Sequence, residues 1–358
     1  MGEFHEDSLG NRKHLLDILP LDTVEYACAY GSGAVPQKID GTLGEMVDFI
    51  IATQDSKQFH KQNLSMNPTH YSLLRFLGYQ KIAQVQRNYA ARVYCNTRVS
   101  YQGYLIKYSV IDTDDLLLDL IEWRWMYLAG RLQKHVVDII SPSPRITLAI
   151  EKNRYSALQA ALLLLPDKFS LSQFYNELIS LSYRGDFRMS FGEDKNKIGR
   201  IADGSRTQLN QIYVPLLKAD EDVFIQGRTI EQDRCDAVFF KRITGLPFNV
   251  LWNLQRIINS RNGKQNDIGI TFFLMSPNNY NKMTRDPEVL SIMVQEEIAA
   301  SLARRLDGPK PVAAAIEDIV WRSALQQTAK NAFSAGIMRS TAYAFAKIAK
   351  MMKSLKHL

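Results

Sequence analysis

Apolar and polar positions change period several times along the 358 residues. Thr23 to Tyr30 (TVEYACAY) is a short β-like run that ends at Gly31-Ser32-Gly33, and a loop with Pro36 and Gly41 leads to a second run, Met46 to Thr53. Arg92 to Ile111 reads as a strand pair interrupted near Gln102-Gly103, with Tyr104 to Ile111 apolar apart from Lys107 and neighbouring polar tips. A mixed sheet is expected from these runs. Beyond Asp112 the spacing becomes helical: Leu117, Leu120, Ile121, Trp125, Leu128, Leu132 and Val136 predict one long amphipathic helix over Leu116 to Ile140, bridging two regions. Helices follow over Asn153 to Leu165, stopped by Pro166, and over Leu171 to Tyr183, N-capped by Ser170. Asp203 to Pro247 is mixed, Asn249 to Asn259 reads as helix, and Asn262 to Asn281 as a loop-bounded strand. From Ala335 to Leu358 a last amphipathic helix is predicted, with Ile337, Ala344, Ile348, Met351, Met352 and Leu355 on one side and Arg339, Lys347, Lys350 and Lys353 on the other.

Charge changes this picture at one end. The formal net charge is +7, and from Ile319 onward there are seven basic residues and no acidic one; the rest of the chain then holds 37 of each sign. The net positive charge is therefore assigned to the tail, and a neutral body fits nucleic-acid tracking poorly, so no nucleic-acid partner is expected. A basic amphipathic tail suits an anionic membrane surface, with Arg339, Lys347, Ile348, Lys350, Met351, Lys353 and Leu355 as contacts; a helix packed on the body is the other reading. With 46% hydrophobic residues the chain can bury a substantial core. No apolar run reaches the ~20 residues of a spanning helix. Cys28, Cys95 and Cys235 lie far apart, which supports neither a disulfide framework nor a zinc ribbon. The acidic start (Glu3, Glu6, Asp7) has the wrong sign for a mitochondrial presequence, and any targeting segment is expected to have been removed.

The candidate chemistry begins at the glycine turn. Gly31 and Gly33 allow backbone to approach a phosphate chain and Ser32 supplies a donor, while Asp48 is a carboxylate inside an apolar strand, where it needs a reason to be. Strand, Gly-Ser turn and strand carboxylate together have the layout of polymerase-β-type nucleotidyltransferases, with Asp48 as Mg²⁺ ligand; a plain glycine turn with a structurally paired Asp48 is the other reading. The usual second carboxylate two residues away is missing, since position 46 is Met, and Asp112, Asp114 or Asp115 are candidates to supply it. Lys107 is either a phosphate contact or a marker of an exposed strand face. Arg131 and Lys134 share a helical face as solvated charges or as a triphosphate clamp, and Asp186 with Arg188 is a capping pair or a nucleotide contact. His60, Asn63, Asn67, His70 and Tyr71 read by themselves as a polar loop satisfying its own backbone, without partners at zinc-ligand spacing.

Several blocks occur together in one order: the Tyr30-Gly31-Ser32-Gly33 turn, Val47-Asp48-Phe49, FHKQNLSMNPTHYS (59–72), LIKYSV (105–110), YLAGRLQKHV (127–136), ALLLLP (161–166), LSYRGDFRM (181–189) and AGIMRSTAYAFAKIAK near the end. In this the chain resembles the mitochondrial translocator-assembly-and-maintenance proteins, which are phosphatidate cytidylyltransferases. The resemblance implies an α+β protein with a polymerase-β-like nucleotidyltransferase domain (1–125), a winged-helix-like helical domain (126–225), a mixed region completing the catalytic body (226–330) and an amphipathic tail (331–358). It also implies CTP, phosphatidic acid and Mg²⁺ as requirements, CDP-diacylglycerol and pyrophosphate as products, and a peripheral position on the matrix side of the mitochondrial inner membrane. By the same resemblance Asp48 and Lys107 would be catalytic, and Gly31, Ser32, Gly33, Arg131, Lys134, Asp186 and Arg188 would bind nucleotide. A nucleic-acid nucleotidyltransferase and a non-catalytic membrane-assembly scaffold are the rival readings.

Overall fold

The computed structural model describes residues 13–31, 46–191, 196–261, 299, 302, 306 and 308–335. Ser32, Gly33, the 262–281 strand and the tail beyond 335 lie outside the described residues.

β1 (Val24–Tyr30) and β2 (Val47–Thr53) pair antiparallel, as the two β-like runs require. β3 (Tyr94–Tyr101) and β4 (Tyr104–Asp112) form the expected hairpin. Its turn residues Gln102 and Gly103 have φ of 48° and 81°, the left-handed pair that matches the twist of the flanking strands. β4 lies parallel to β2, and the sheet closes with β5 (Val137–Ile140) beside β1, giving the order β3-β4-β2-β1-β5. A mixed sheet within an α+β protein is thus what folds.

Strand alternation sorts the sheet into two apolar faces. Ala27, Ala29, Phe49, Ile51, Ile106, Tyr108 and Val110 pack with Leu15, Leu16 and Phe59 on one face. Tyr26, Cys28, Ile50, Ala52, Cys95 and Ile111 face the main core, which continues into the later helices. On the first side lie α1 (Ser56–Met66) and α2 (Gly78–Asn88), joined by two 3-10 turns, Pro68–His70 and Leu73–Leu77.

The single long helix expected over 116–140 does not form. α3 (Thr113–Glu122) stops where Trp123 turns left-handed, α4 (Ala129–Leu132) is a single turn, and β5 takes the remainder. The cause is the buried carboxylate of Asp119, which accepts the backbone N–H groups of Trp125, Met126, Leu128 and Ala129 at 2.9, 2.7, 2.8 and 3.0 Å. Four charge-assisted bonds hold a loop that helical periodicity alone would have continued.

α5 (Pro144–Leu164) starts on proline at its first turn and ends before Pro166. β6 (Lys168–Ser170) leads into α6 (Leu171–Ser180), where Ser170 and Gln173 form a reciprocal capping box. After α7 (Arg188–Phe191) come α8 (Lys197–Gly204), α9 (Arg206–Ala219), β7 (Val223–Gln226) and β8 (Thr229–Gln232), and the small sheet has the order β6-β8-β7. α10 (Asp236–Thr244) and α11 (Phe248–Arg261) follow, and α12 (Lys310–Ala335) packs on α11 and β3.

Two of the seven late basic residues belong to the body. Arg322 pairs with Asp318 at 2.9 Å, and buried Lys330 donates to the carbonyls of Gln86 and Tyr89 at 3.1 and 3.0 Å. Burial lowers the Lys330 ammonium to about 8.

Candidate active site

Tyr30 lies opposite Asp48 across the β1–β2 pair, and Asp48 opposite Lys107 across the β2–β4 pair. Directly opposed residues project to the same face, so three side chains from three strands form one row at the end of the sheet where Gly31 turns away. Lys107 Nζ stands 3.1 Å from Asp48 Oδ1 and donates to the Tyr30 hydroxyl at 3.3 Å. Gly31, with φ 78°, brings its Cα toward Asp48: a Cβ built there would sit 3.9 Å from Asp48 Oδ2. Burial pushes the Tyr30 phenol up to about 12, so it stays neutral.

A second group faces this row. The Arg131 guanidinium lies over the rings of Tyr127 and Tyr30 at 4.0 and 5.5 Å, a cation held by aromatic faces as well as by the Tyr127 carbonyl. Lys134 donates to the Gly130 carbonyl and to Ser182 Oγ at 3.0 Å, and shares the Tyr183 ring with Lys197. Burial, then the nearby Arg131 and Lys197 charges, draw the Lys134 ammonium down to about 7. Gly130 is required for this approach, because a Cβ there would meet Ser182 Cβ at 2.4 Å. Arg188 Nε donates to Asp186 Oδ1 at 2.9 Å, and its backbone N–H donates to the same oxygen at 3.0 Å, so the capping-pair reading holds at the edge of the cluster. Among the described residues five basic side chains of this cluster, Lys107, Arg131, Lys134, Arg188 and Lys197, meet two carboxylates, Asp48 and Asp186.

The expected second carboxylate is not where the sequence suggested. Asp112 lies opposite Thr53, five residues or about 16 Å along β4 from Lys107, and is bound by Arg87 at 2.9 Å and Ser56 Oγ at 2.7 Å. Asp115 pairs with Arg92 at 2.6 Å and Asp114 with Arg145 at 3.4 Å. Parallel pairing sets the C-terminal half of β4 between the two sites. The block around His60 is likewise not a self-satisfied loop. His60 bonds Tyr71 and Gln86, each at 2.8 Å, Asn63 donates to Tyr71 and Tyr108 at 2.9 and 2.8 Å, and His70 meets the Tyr108 hydroxyl at 2.8 Å. Burial lowers His60 to about 4, keeping the ring neutral, and among the described residues no cluster of three His, Cys, Asp or Glu is placed to hold a metal.

Tyr30, Tyr127, Ser182 and Tyr183 are cluster members that residue-by-residue reading passed over, although each sits in a block carrying the family resemblance. Lys197 had no signal in the sequence.

An excess of cations beside a strand carboxylate defines a site for a polyanionic substrate, and comparison with known proteins gives its class as a nucleotidyltransferase. The family described as "Phosphatidate cytidylyltransferase, mitochondrial" matches residues 12–350. Proteins of that same name are 41% identical in Caenorhabditis briggsae (96% of this chain, 98% of that protein) and 35% in Drosophila melanogaster (92% and 95%). The one in Rattus norvegicus is 34% identical over 98% of this chain and 96% of its own. The chain belongs to the mitochondrial phosphatidate cytidylyltransferase family.

Proposed function

We propose that the cluster around Asp48 and Lys107 is where this chain transfers the cytidylyl group of CTP to phosphatidate, releasing pyrophosphate and forming CDP-diacylglycerol. The single observation that carries the reading is the Tyr30–Asp48–Lys107 row beside the glycine turn, faced by Arg131 and Lys134. Gly31 lies against the triphosphate, with Ser32 and Gly33, outside the described residues, assigned to it from the sequence alone; Lys107, Arg131 and Lys134 neutralise its charge, and the Asp186–Arg188 pair borders it. A phosphate oxygen of phosphatidate attacks the α-phosphorus in line as the bond to the β-phosphate oxygen breaks, and pyrophosphate leaves. The attacking phosphate is already an anion, so positioning and charge neutralisation suffice without a dedicated base. This accords with a cluster that, among the described residues, includes no histidine beside Asp48.

Asp48 fits a Mg²⁺ ligand: its Oδ1 is buried and accepts no aligned hydrogen bond, although the Lys107 ammonium is close. Asp186 being held by Arg188, Asp48 is the described carboxylate that would hold the ion, its other ligands left to phosphate oxygens and water, which Mg²⁺ commonly keeps. Bound there, Mg²⁺ would supply charge neutralisation along the phosphates. The sheet order β3-β4-β2-β1-β5 with its acid on β2 supports the polymerase-β-like reading of the catalytic part. The order α5, β6, α6, then α9, β7 and β8 after the inserted α7 and α8, with sheet order β6-β8-β7, supports a winged-helix-like unit, although its sheet runs past residue 225 to Gln232 and β5, inside 126–225, belongs to the first sheet. The relatives' names support a mitochondrial setting, and among the described residues no helix is long and apolar enough to cross a membrane. We place the protein peripherally on the matrix side of the inner membrane, held to anionic lipid by the basic tail, with no nucleic-acid partner.

Calorimetry of CTP with and without Mg²⁺ tests the reading. Asp48→Asn, nearly isosteric, is expected to keep the fold and to weaken Mg²⁺-dependent CTP binding by about 2 kcal/mol, roughly thirtyfold, with loss of most turnover. Wild-type activity of that variant at limiting Mg²⁺ would remove Asp48 from the metal.

A further inference from the structure

The neutral body is not neutral throughout. Between Asp55 and Asp112 the chain runs through residues 56–111 without one acidic residue and with eight Lys and Arg. Arg87, Arg92 and Lys107 are paired with carboxylates outside the segment. Arg75 and Lys81 form ion pairs with none of the described carboxylates: Arg75 lies over the Phe76 ring at 4.8 Å, and Lys81 donates to Gln84.

The same segment carries an apolar projection. In the 3-10 turn Leu73–Leu77, Ser72 caps the start, Gly78 with φ 80° ends it, and Leu74 is buried against Tyr71, Ile82 and Tyr94. The remaining apolar side chains point outward: Leu73 is 76% exposed, Phe76 72% and Leu77 61%. Leu73 and Phe76, three apart in a 3-10 turn, stand one above the other on one side. A soluble protein rarely displays three large apolar side chains together without a partner. The turn is rigidly mounted. His70 and Asn63 bond the Tyr108 hydroxyl, and Tyr108 is the β4 neighbour of Lys107, on the opposite face of the sheet. Lys330 of α12 bonds the last carbonyls of α2, so the chain leaves the described residues at Ala335 from beside this same helix pair.

We propose that the Leu73–Leu77 turn is a membrane-insertion element, which seats Leu73, Phe76 and Leu77 in the interface of an anionic bilayer while Arg75 and Lys81 meet lipid phosphates. An apolar tip that carries Arg75 and is followed by Lys81, neither paired with a described carboxylate, in a segment without acidic residues, is complementary to that one occupant: burial of the tip supplies affinity, and the cations select anionic headgroups. The mounting through Tyr108 gives the insertion a purpose, since it fixes the sheet end bearing Asp48 and Lys107 at a set height above the lipid that holds the substrate. The proposal rests on the phosphatidate reading above for that purpose, but the surface itself does not.

The test uses the full chain with Cys235→Ser and Phe76→Cys, carrying an environment-sensitive fluorophore at position 76; Cys28 and Cys95 are buried and stay unlabelled. Phosphatidylcholine vesicles containing phosphatidylglycerol should shift the emission to the blue, pure phosphatidylcholine should not, and high salt should reverse the shift. An unchanged spectrum while the chain floats with those vesicles overturns the proposal, as does failure of the full chain to bind them. A second variant, Leu73→Ser with Phe76→Ser and Leu77→Ser, should float roughly tenfold less well and lose turnover of bilayer phosphatidate, yet keep CTP binding and activity on dispersed short-chain phosphatidate. Loss of CTP binding in that variant would assign the turn a structural role instead. A labelled chain that inserts but transfers no cytidylyl group would sink the catalytic reading and leave the surface standing.

Discussion

Lys134 is crowded by Arg131 and Lys197 and lowered to about 7, so near neutrality it is a partly protonated base waiting for an anion. A triphosphate favours its charged form, so CTP binding should take up a proton between about pH 7 and 9 and weaken as pH rises through that window. Calorimetry in buffers of different ionisation heat reads the uptake directly, and Lys134→Met should abolish it while Lys134→Arg keeps affinity without the pH slope. The sign for stability is separate. An ammonium lowered in the fold leaves the unfolded chain binding more protons between about 7 and 10.5, so this group favours the folded state increasingly as pH rises there. At this scale Asp48 stood out in the sequence as a carboxylate inside an apolar strand, while Lys107, Arg131 and Lys134 read equally as solvated charges and were singled out by the family resemblance. The identity of their partners was not legible, since Tyr30 and Tyr183 reach them through strand pairing and packing between elements distant in the chain.

The break between α3 and α4 is what turns Arg131 and Lys134 toward the sheet. A continuous helix over 116–140 would have satisfied the apolar period, yet Asp119 gathers four backbone N–H groups and stops it. Asp119→Ala should leave those donors buried without an acceptor, costing about 3 kcal/mol or more, visible as a lower urea midpoint. CTP affinity should fall in the same variant even at low denaturant, because α4 loses its anchor. If stability is unchanged, the loop is held by something else. Periodicity could not reveal this break: a carboxylate on a helical face looks solvated until the chain following it folds back. Strand pairs and caps, by contrast, were readable where local chemistry decides them, as at Gln102-Gly103 and at the Ser170 N-cap.

For the whole molecule, charge distribution is the feature that changed most between sequence and structure. Counting placed the excess in the last segment, yet Arg322 and Lys330 are occupied by the body, and in the segment 56–111, which has no acidic residue, Arg75 and Lys81 pair with none of the described carboxylates. The tail contacts Arg339, Lys347, Ile348, Lys350, Met351, Lys353 and Leu355 lie outside the described residues and stand as a proposal from the sequence. Deleting residues after Gly336 should reduce flotation with anionic vesicles at least roughly tenfold, at about 1 kcal/mol per lysine, and leave CTP binding intact. Full flotation of the truncated protein would exclude the tail as an anchor.

By itself the sequence determined the α+β class, strand runs over 23–30, 46–53 and 92–111, helices over 153–165 and 171–183, and the family, because alternation, turn residues and ordered blocks are local properties of the chain. Tertiary structure alone decided that β4 pairs parallel with β2. That register puts Lys107 beside Asp48 and carries Asp112 about 16 Å away, into an unrelated ion-pair network. The physical reason is that a carboxylate's role depends on which charges the fold brings within a few ångströms of it, and sequence spacing along separate strands does not contain their register.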